Sequence, residues 1–220
     1  ASSSPDGGHV LNGEKRFVID AQVAGLILVA ARNGENQIGL YAVEADARGL
    51  TRKAMPSMDP TRKLNQLILA ATPAEHLGPV DLQDLMDYTL VALANEMIGG
   101  AQTLLQSALD YTQLRVQFGR SIASFQAIKH MCADMLLRVE SARSVAWYAA
   151  WVAAEQPQEL AEAAAHAKSY CSEAFFACAG ESIQIHGGIG FTWEHEAHIY
   201  FKRAQSSQNL FGSPSLHRER

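Results

Sequence analysis

The stretch Gln184-Ile-His-Gly-Gly-Ile-Gly-Phe-Thr-Trp-Glu-His195 divides one long helical pattern from the next. Its three glycines fall within four positions, so backbone could approach a ligand closely. A helix that starts just after them would direct unpaired N–H groups outward, which suits a phosphate. A turn that only ends a helix has the same composition, so this segment alone leaves a cofactor site and a structural turn equally open.

The composition excludes several classes of partner. The chain has 220 residues, of which 48% are hydrophobic and 19% charged, as in an ordinary globular protein with a real core. A formal net charge of −5 and a pI near 5.9 argue against nucleic acid and anionic membrane, because both attract a basic surface. We therefore expect neither as a partner.

The cysteines and the start of the chain favour a cytoplasmic protein. The three cysteines lie in apolar helical patterns without metal-ligand spacing, which predicts reduced, buried thiols and no metal site. They are Cys132, Cys171 and Cys178. Residues 1–8 contain neither a basic nor an apolar region, and no apolar run approaches the ~20 residues that span a bilayer. The sequence thus predicts no targeting signal and no membrane segment.

The pattern predicts an α+β chain with a domain boundary near residue 80. Residues 10–71 read as short strands, with a hairpin at Asn12-Gly13 and a turn at Asn33-Gly34 between apolar runs at 24–31 and 38–43. Pro73 and Pro79 are expected to bracket a polar connection. We predict a partial β-domain at 1–80, which begins inside a larger domain, and an antiparallel four-helix bundle at 81–220.

Helical periodicity fills the second part. An alanine- and leucine-rich helix is predicted over 82–114, a third helix over about 158–185, and a last helix after Trp193. In the second helix six apolar residues are expected to share one buried face. They are Phe125, Ile128, Cys132, Met135, Leu136 and Val139.

A second motif lies between the first two helices, at Arg115-Val-Gln-Phe-Gly119, with Ser121-Ile-Ala-Ser-Phe-Gln126 after it. An arginine near a helix end is commonly a solvated charge or a partner for the last carbonyls, and Phe118 could belong to the core. A guanidinium beside a glycine turn also suits a pyrophosphate, because it stays charged and binds phosphate oxygens with two bonds. This motif alone leaves both interpretations open.

Together the motifs resemble the carboxyl-terminal part of the acyl-CoA dehydrogenases. R-x-x-F-G and F-Q, followed about 65 residues later by Q-I-H-G-G-x-G-F, have the family's order and spacing. The resemblance covers nearly the whole chain: 11–71 is similar to the middle β-domain and 82 onward to the final helical bundle. The family's amino-terminal helical domain has no counterpart here.

The resemblance implies FAD as the cofactor. By motif, Arg115, Phe118, Gln126, Gln184, Gly187 and Gly188 match residues that bind the ADP part of an FAD held mainly by a neighbouring subunit. Phe17 matches an aromatic residue near the flavin, whereas Ile19 stands where the family has a threonine that bonds it. His186 is expected to be a core histidine, and the two glutamines could instead satisfy helix-end carbonyls.

The resemblance also locates two positions for the catalytic glutamate that takes the α-proton of an acyl-CoA. This chain has Phe211 at one and Thr89 at the other, and neither can accept a proton. Other carboxylates are expected to be surface charges or helix-end residues; they are Asp87, Glu96, Glu194 and Glu196. The sequence therefore predicts no catalytic base.

These departures favour an accessory role. The segment 187–195 resembles the motif of heteromeric family members that oxidise steroid side-chain CoA thioesters, in which one subunit carries the base and its partner completes the cofactor pocket. We expect a subunit of an acyl-CoA dehydrogenase that works with a catalytic subunit in a heterotetramer. Two alternatives stay open: a self-sufficient homo-oligomeric enzyme with an unrecognised base, and a structural homologue without flavin.

Overall fold

The structure, a computed structural model, describes residues 1–3 and 8–220. The polar start includes residues 4–7, so that part of the prediction lies outside the described residues. The chain forms two compact units, Ala1–Leu82 and Gln83–Arg220. No helix in the described ranges combines the length and hydropathy that crossing a membrane requires.

The first unit is an antiparallel sheet organised around its longest strand. The described strands are β1 (Ser2–Ser3), β2 (His9–Ile19), β3 (Leu26–Arg32), β4 (Ile38–Glu44), β5 (Leu50–Met55) and β6 (Leu64–Pro79). Their order is β1-β2-β6-β4-β3, and β5 also pairs with β6. Alternate residues of β4 are buried, among them Tyr41 and Val43, which gives the period of two expected for a sheet with one covered face.

Two turn predictions in this unit were wrong. Asn12-Gly13 makes no hairpin; it lies inside β2, where the register with β6 shifts and Gly13 has a φ of 140°. The Asn12 side chain accepts a hydrogen bond of 2.8 Å from the Ala71 N–H, so the pair forms a bulge, the other structure that Asn-Gly suits. Pro73 also lies inside a strand, close to where β6 changes partner from β2 to β4 and the missing N–H is tolerated.

The second unit is a helical bundle. Its helices are α1 (Leu82–Leu114), α2 (Gln126–Glu155), α3 (Leu160–His186), α4 (Ala197–Asn209) and α5 (Pro214–Arg218). A small hairpin of β7 (Val116–Gln117) and β8 (Arg120–Ser121) follows α1. Short 3-10 helices cover Ile122–Ser124, Pro157–Glu159 and Gly187–Phe191.

Small residues let these helices pack closely. A Cβ added to Gly100 of α1 would lie 2.6 Å from the Phe175 ring of α3. The predicted seam of α2 is confirmed at Cys132, Met135 and Val139, but Leu136 is 49% exposed because it lies beside that seam. All three cysteines are free and buried, and burial raises the pKa of the Cys171 thiol to about 12.

Candidate functional site

The hairpin after α1 projects an aromatic side chain. Val116 pairs with Ser121 and Gln117 with Arg120, so the turn consists of Phe118 and Gly119, whose φ values are 54° and 75°. Positive φ at both central residues is the type I′ geometry that fits the twist of two strands. Phe118 is 91% exposed and meets the Phe125 ring edge-on at 6.1 Å. A left-handed φ is costly for a bulky residue, so the two-residue turn imposes this conformation on Phe118 and holds its ring in solvent.

Arg115 stands where α1 passes into this hairpin. Its N–H donates to the Tyr111 carbonyl at 2.9 Å and its carbonyl accepts from Ile122 N–H at 2.9 Å, so the backbone is fixed on both sides. Ser121 Oγ adds a bond of 2.7 Å to the Thr112 carbonyl. The guanidinium is exposed, and no carboxylate within 1–3 and 8–220 pairs with it. A fixed backbone thus carries a cation that is free to meet an anion.

Gln126 begins α2 at the same place. The preceding Phe125 makes no capping hydrogen bond through its side chain, so the first N–H groups of a 30-residue helix lack a side-chain acceptor. The Arg120 guanidinium lies 4.3 Å from the centre of the Phe125 ring. The start of α2 therefore combines a helix N-terminus with the Arg120 guanidinium, an arrangement that favours an anion.

The glycine segment differs from its predicted geometry. The next long helix does not start just after the glycines: α3 ends at His186, a 3-10 helix covers Gly187–Phe191, and α4 begins at Ala197. Gly187, with φ 64°, donates its N–H back to carbonyls of α3, because a left-handed glycine closes a helix in this way. The glycines are therefore not followed directly by the N-terminus of a long helix. In this region the N-terminus of a long helix is that of α2, at Gln126.

Two of the three glycines leave open space. A Cβ added at Gly187 or Gly188 would meet nothing within 4 Å, so a ligand can approach the backbone there. A Cβ at Gly190 would lie 2.8 Å from the His186 Cβ and 3.0 Å from the Ile183 carbonyl oxygen, so this glycine serves packing. Gln184, in the last turn of α3, is exposed beside the open pair.

A stack of three rings connects the end of α1 to the glycine segment. The Tyr111 ring lies 4.5 Å from that of His186, which lies 4.2 Å from His195. Tyr111 also donates to the His186 carbonyl at 3.3 Å, and the buried His186 donates from Nδ1 to the Ser182 carbonyl at 2.7 Å. Burial lowers the pKa of His186, so it is a neutral core histidine. The end of α1, the start of α2 and the end of α3 therefore meet at one end of the bundle.

Phe17 belongs to the other unit. It has φ 58°, is 62% exposed, and lies at the shift in register between Lys15 and Val18 of β2. The buried Asn65 of β6 donates to the Val18 carbonyl at 3.2 Å and so supports this irregular strand. Of the predicted cofactor residues, the bundle brings six to one end, and Phe17 is presented separately by the sheet.

Neither glutamate position offers a base. Thr89 Oγ1 donates to the Leu85 carbonyl of its own helix at 2.7 Å. Glu96 pairs with Arg203 at 2.9 Å, while Glu194 and Glu196 are exposed near the start of α4. Asp87 corrects the prediction of a surface charge: it is 2% exposed and forms an ion pair of 2.7 Å with Arg220.

The loop that contains Phe211 is held by buried side chains that the sequence analysis did not single out. Lys168 of α3 is fully buried and donates from Nζ to the carbonyls of Gln208 and Gly212 at 3.0 and 2.9 Å. His217 of α5 donates from Nε2 to the Phe211 carbonyl at 2.9 Å. Phe211 has φ 58° and Gly212 φ 111°. A lysine within an alanine-rich helix gives no sequence signal for burial.

The comparisons with known proteins agree with this architecture. Residues 81–220 match the family described as acyl-CoA dehydrogenase, C-terminal domain. The acyl-CoA dehydrogenase IpdE2 of Mycolicibacterium smegmatis is 38% identical over 97% of this chain and 62% of its own length.

Two solved structures show the same fold over 99% of the chain. A variant of the Tcur3481-Tcur3483 steroid ACAD has a TM-score of 0.87 at 31% identity, with 59% of that chain covered. The ChsE4-ChsE5 complex from Mycobacterium tuberculosis has a TM-score of 0.86 at 25% identity, with 60% covered. The chain thus spans about 60% of the length of these relatives. It belongs to the acyl-CoA dehydrogenase family, with residues 81–220 matching that family's C-terminal domain.

Proposed function

We propose that this chain is a subunit of an FAD-dependent acyl-CoA dehydrogenase and completes the FAD site of a catalytic partner subunit. Members of the family depend on FAD. One contrast carries the proposal: the bundle end around Arg115 keeps a free cation, while Phe211 and Thr89 leave both glutamate positions without a carboxylate. The chain retains groups for holding a cofactor but lacks the base for the reaction.

The residues present fit the ADP part of FAD. Arg115 and the uncapped start of α2 offer charge and N–H donors to a pyrophosphate, and Gln126 and Gln184 offer amide groups to a ribose. The open backbone at Gly187 and Gly188 admits close approach, and Phe118 offers an apolar face to a base. In the other unit, Phe17 would stand against the flavin.

The division of the chemistry follows from these positions. FAD, when bound, supplies the acceptor for the hydride that leaves the β-carbon of an acyl-CoA thioester. The α-proton would go to a carboxylate of the partner, since a missing general base costs roughly 10²- to 10⁴-fold in rate. The likeness to the Tcur3481-Tcur3483 steroid ACAD and to the ChsE4-ChsE5 complex supports a two-chain assembly and a steroid CoA thioester as substrate.

The test is the affinity for FAD and the bleaching of the flavin by acyl-CoA, with and without the chain that co-purifies. Arg115→Ala should weaken FAD binding by about 10- to 100-fold, because charge-assisted bonds to phosphate are lost. The matched control Arg48→Ala removes an exposed arginine of the β unit and should leave FAD affinity unchanged.

Three outcomes separate the candidate functions. Flavin and bleaching only with the partner would support the accessory role. Bleaching by this chain alone would replace it with a self-sufficient enzyme. No flavin in either preparation would leave a structural homologue, and an unchanged FAD affinity in Arg115→Ala would remove Arg115 from the FAD site.

A further inference from the structure

The loop at residues 210–213, between α4 and α5, is held by more bonds than a surface turn needs. Lys168 Nζ binds the carbonyl oxygens of Gln208 and Gly212, and His217 Nε2 binds that of Phe211. Three carbonyls around a single loop thus bond to side chains that are themselves buried. Ser213 caps α5 by accepting from the Leu216 N–H at 3.4 Å. Few backbone oxygens here are left to solvent.

These bonds maintain a strained backbone. Phe211 has a left-handed φ of 58°, which a bulky side chain adopts only at a cost. Gly212, at 111°, cannot be replaced easily, because a Cβ would lie 2.8 Å from Leu216 Cδ2 and 2.9 Å from His217 Nε2. The side chain of Phe211 is held in this conformation and remains 37% exposed. Such strain persists only where the surroundings impose it.

Stability alone does not account for a fully buried ammonium. Burial penalises the charged form, which lowers the pKa of Lys168 to about 8. An apolar side chain of similar volume often stabilises a fold as well as a buried ion does. The negative end of the α4 dipole favours a cation here, because the Gln208 carbonyl of α4 accepts from Nζ. His217 is the titratable group that interacts with Lys168, and Asp87 and Arg220 act in turn on His217.

We propose that Lys168 is a positioning residue: its ammonium fixes the loop so that the Phe211 side chain stands in a defined place in the acyl-CoA site. The proposal rests on the proposed function for the identity of that site. Phe211 then forms an apolar wall of the acyl-CoA site, at one of the two positions where the resemblance places the family's catalytic glutamate. The bonds at Gln208 and Gly212 act on either side of Phe211, and His217 acts on Phe211 itself.

The test compares Lys168→Met with Lys129→Met, which removes an exposed lysine of α2. Amide hydrogen exchange is followed in peptides covering residues 206–217, corrected for the intrinsic effect of pH. Losing both bonds should raise loop exchange about tenfold in Lys168→Met, with the rest of the bundle unchanged. If opening the loop returns the Lys168 ammonium to water, the open state binds more protons, so the wild-type loop should become more protected between pH 7 and 9, and Lys168→Met should lose this pH dependence.

A second readout connects the loop to the site. In the flavin-containing complex with the co-purifying chain, Lys168→Met should weaken the spectral response to acyl-CoA several-fold, while Lys129→Met leaves it unchanged. Unaltered loop exchange, a loosening of the whole bundle, or a loosened loop with an unaltered acyl-CoA response would each overturn the proposal. Failure of the proposed function would give a different result, because the wild-type complex would then contain no flavin. The hydrogen-exchange measurement needs no flavin, so it tests the role of Lys168 in the loop separately.

Discussion

The hairpin after α1 and the loop after α4 both hold a phenylalanine in the left-handed region, and they do so by different means. At the hairpin, Phe118 is followed by Gly119, and a two-residue turn between short strands sets both φ values locally. At the loop, Phe211 is held by Lys168 and His217, which come from α3 and α5. One conformation depends on adjacent residues and the other on a remote helix.

The difference shows how a fold can leave one charge free while it buries another. The hairpin needs no side-chain support beyond its own segment and α1, so Arg115 remains available to a ligand. The loop uses its nearby cation internally, so Lys168 is unavailable to anything outside the bundle. The proposed roles follow this difference: binding for the free Arg115 and positioning for the buried Lys168.

The largest effect should come from the ion pair between the buried Asp87 of α1 and the partly exposed Arg220 beyond α5. Asp87→Asn removes a carboxylate charge from a side chain that is 3% exposed and should cost about 3 kcal/mol of unfolding free energy, the lower end for buried pairs, because Arg220 is 26% exposed. Urea unfolding measures this loss. The control Glu96→Gln removes an exposed partner of Arg203 and should cost under about 1 kcal/mol. Equal losses of unfolding free energy in the two variants would show that burial of the Asp87 carboxylate adds nothing to the strength of its ion pair.

A pair of glycine substitutions compares the two regions directly. Gly212→Ala should cost about 2 to 3 kcal/mol, because its φ of 111° is strained for any side chain and a Cβ would clash with Leu216 and His217. Gly119→Ala should cost only about 1 kcal/mol, because its Cβ meets open space and only the left-handed penalty applies. Thermal unfolding ranks the two variants by stability. A larger loss in Gly119→Ala than in Gly212→Ala would contradict the inference that α3 and α5 hold the loop after α4.

Removing the buried ammonium should change how stability depends on pH. Burial lowers the pKa of Lys168 to about 8 from an unfolded value of 10.5, so between these values the unfolded chain binds more protons and stability rises with pH. Lys168→Met should lack this rise, so the stability of wild type relative to the variant should increase between pH 8 and pH 10. Parallel stability curves for the two proteins would contradict this.

The smallest effect should come from relieving the strain itself. Asparagine tolerates the left-handed region better than phenylalanine does. Phe118→Asn and Phe211→Asn should therefore each raise the free energy of unfolding by about 0.5 to 1 kcal/mol, less whatever the lost contacts of each ring contributed. Phe118→Asn should gain more, because that ring is almost wholly exposed. Both gains are read from chemical denaturation, and a loss in Phe118→Asn would mean that its contact with Phe125 outweighs the strain.

The sequence predicted the class of fold and the helices well because their signals are local. Periodicity located α1 at 82–114, and apolar runs located β3 and β4. Asn12-Gly13 and Pro73 were misread because a turn dipeptide and a bulge look alike until the pairing strand is known. That strand, β6, lies more than 50 residues beyond Asn12.

For the candidate site, residue types were predictable and roles in packing were not. The motifs identified Arg115 and the glycines, but only the structure separates the open Gly187 and Gly188 from the packed Gly190. Asp87 and Lys168 were hidden for the same reason: whether a charge is buried depends on helices distant in the chain.

The pairing of β6 also orders the synthesis of the first unit. Strands β2, β4 and β5 each pair with β6, so most of the sheet has to wait until residues 64–79 have left the ribosome. The β3–β4 hairpin can form earlier, but β2 stays without its main neighbour for about 50 residues, roughly three to ten seconds of elongation. The nascent chain therefore carries an unpaired strand edge for that time, and it is during this interval that a chaperone would have most to protect.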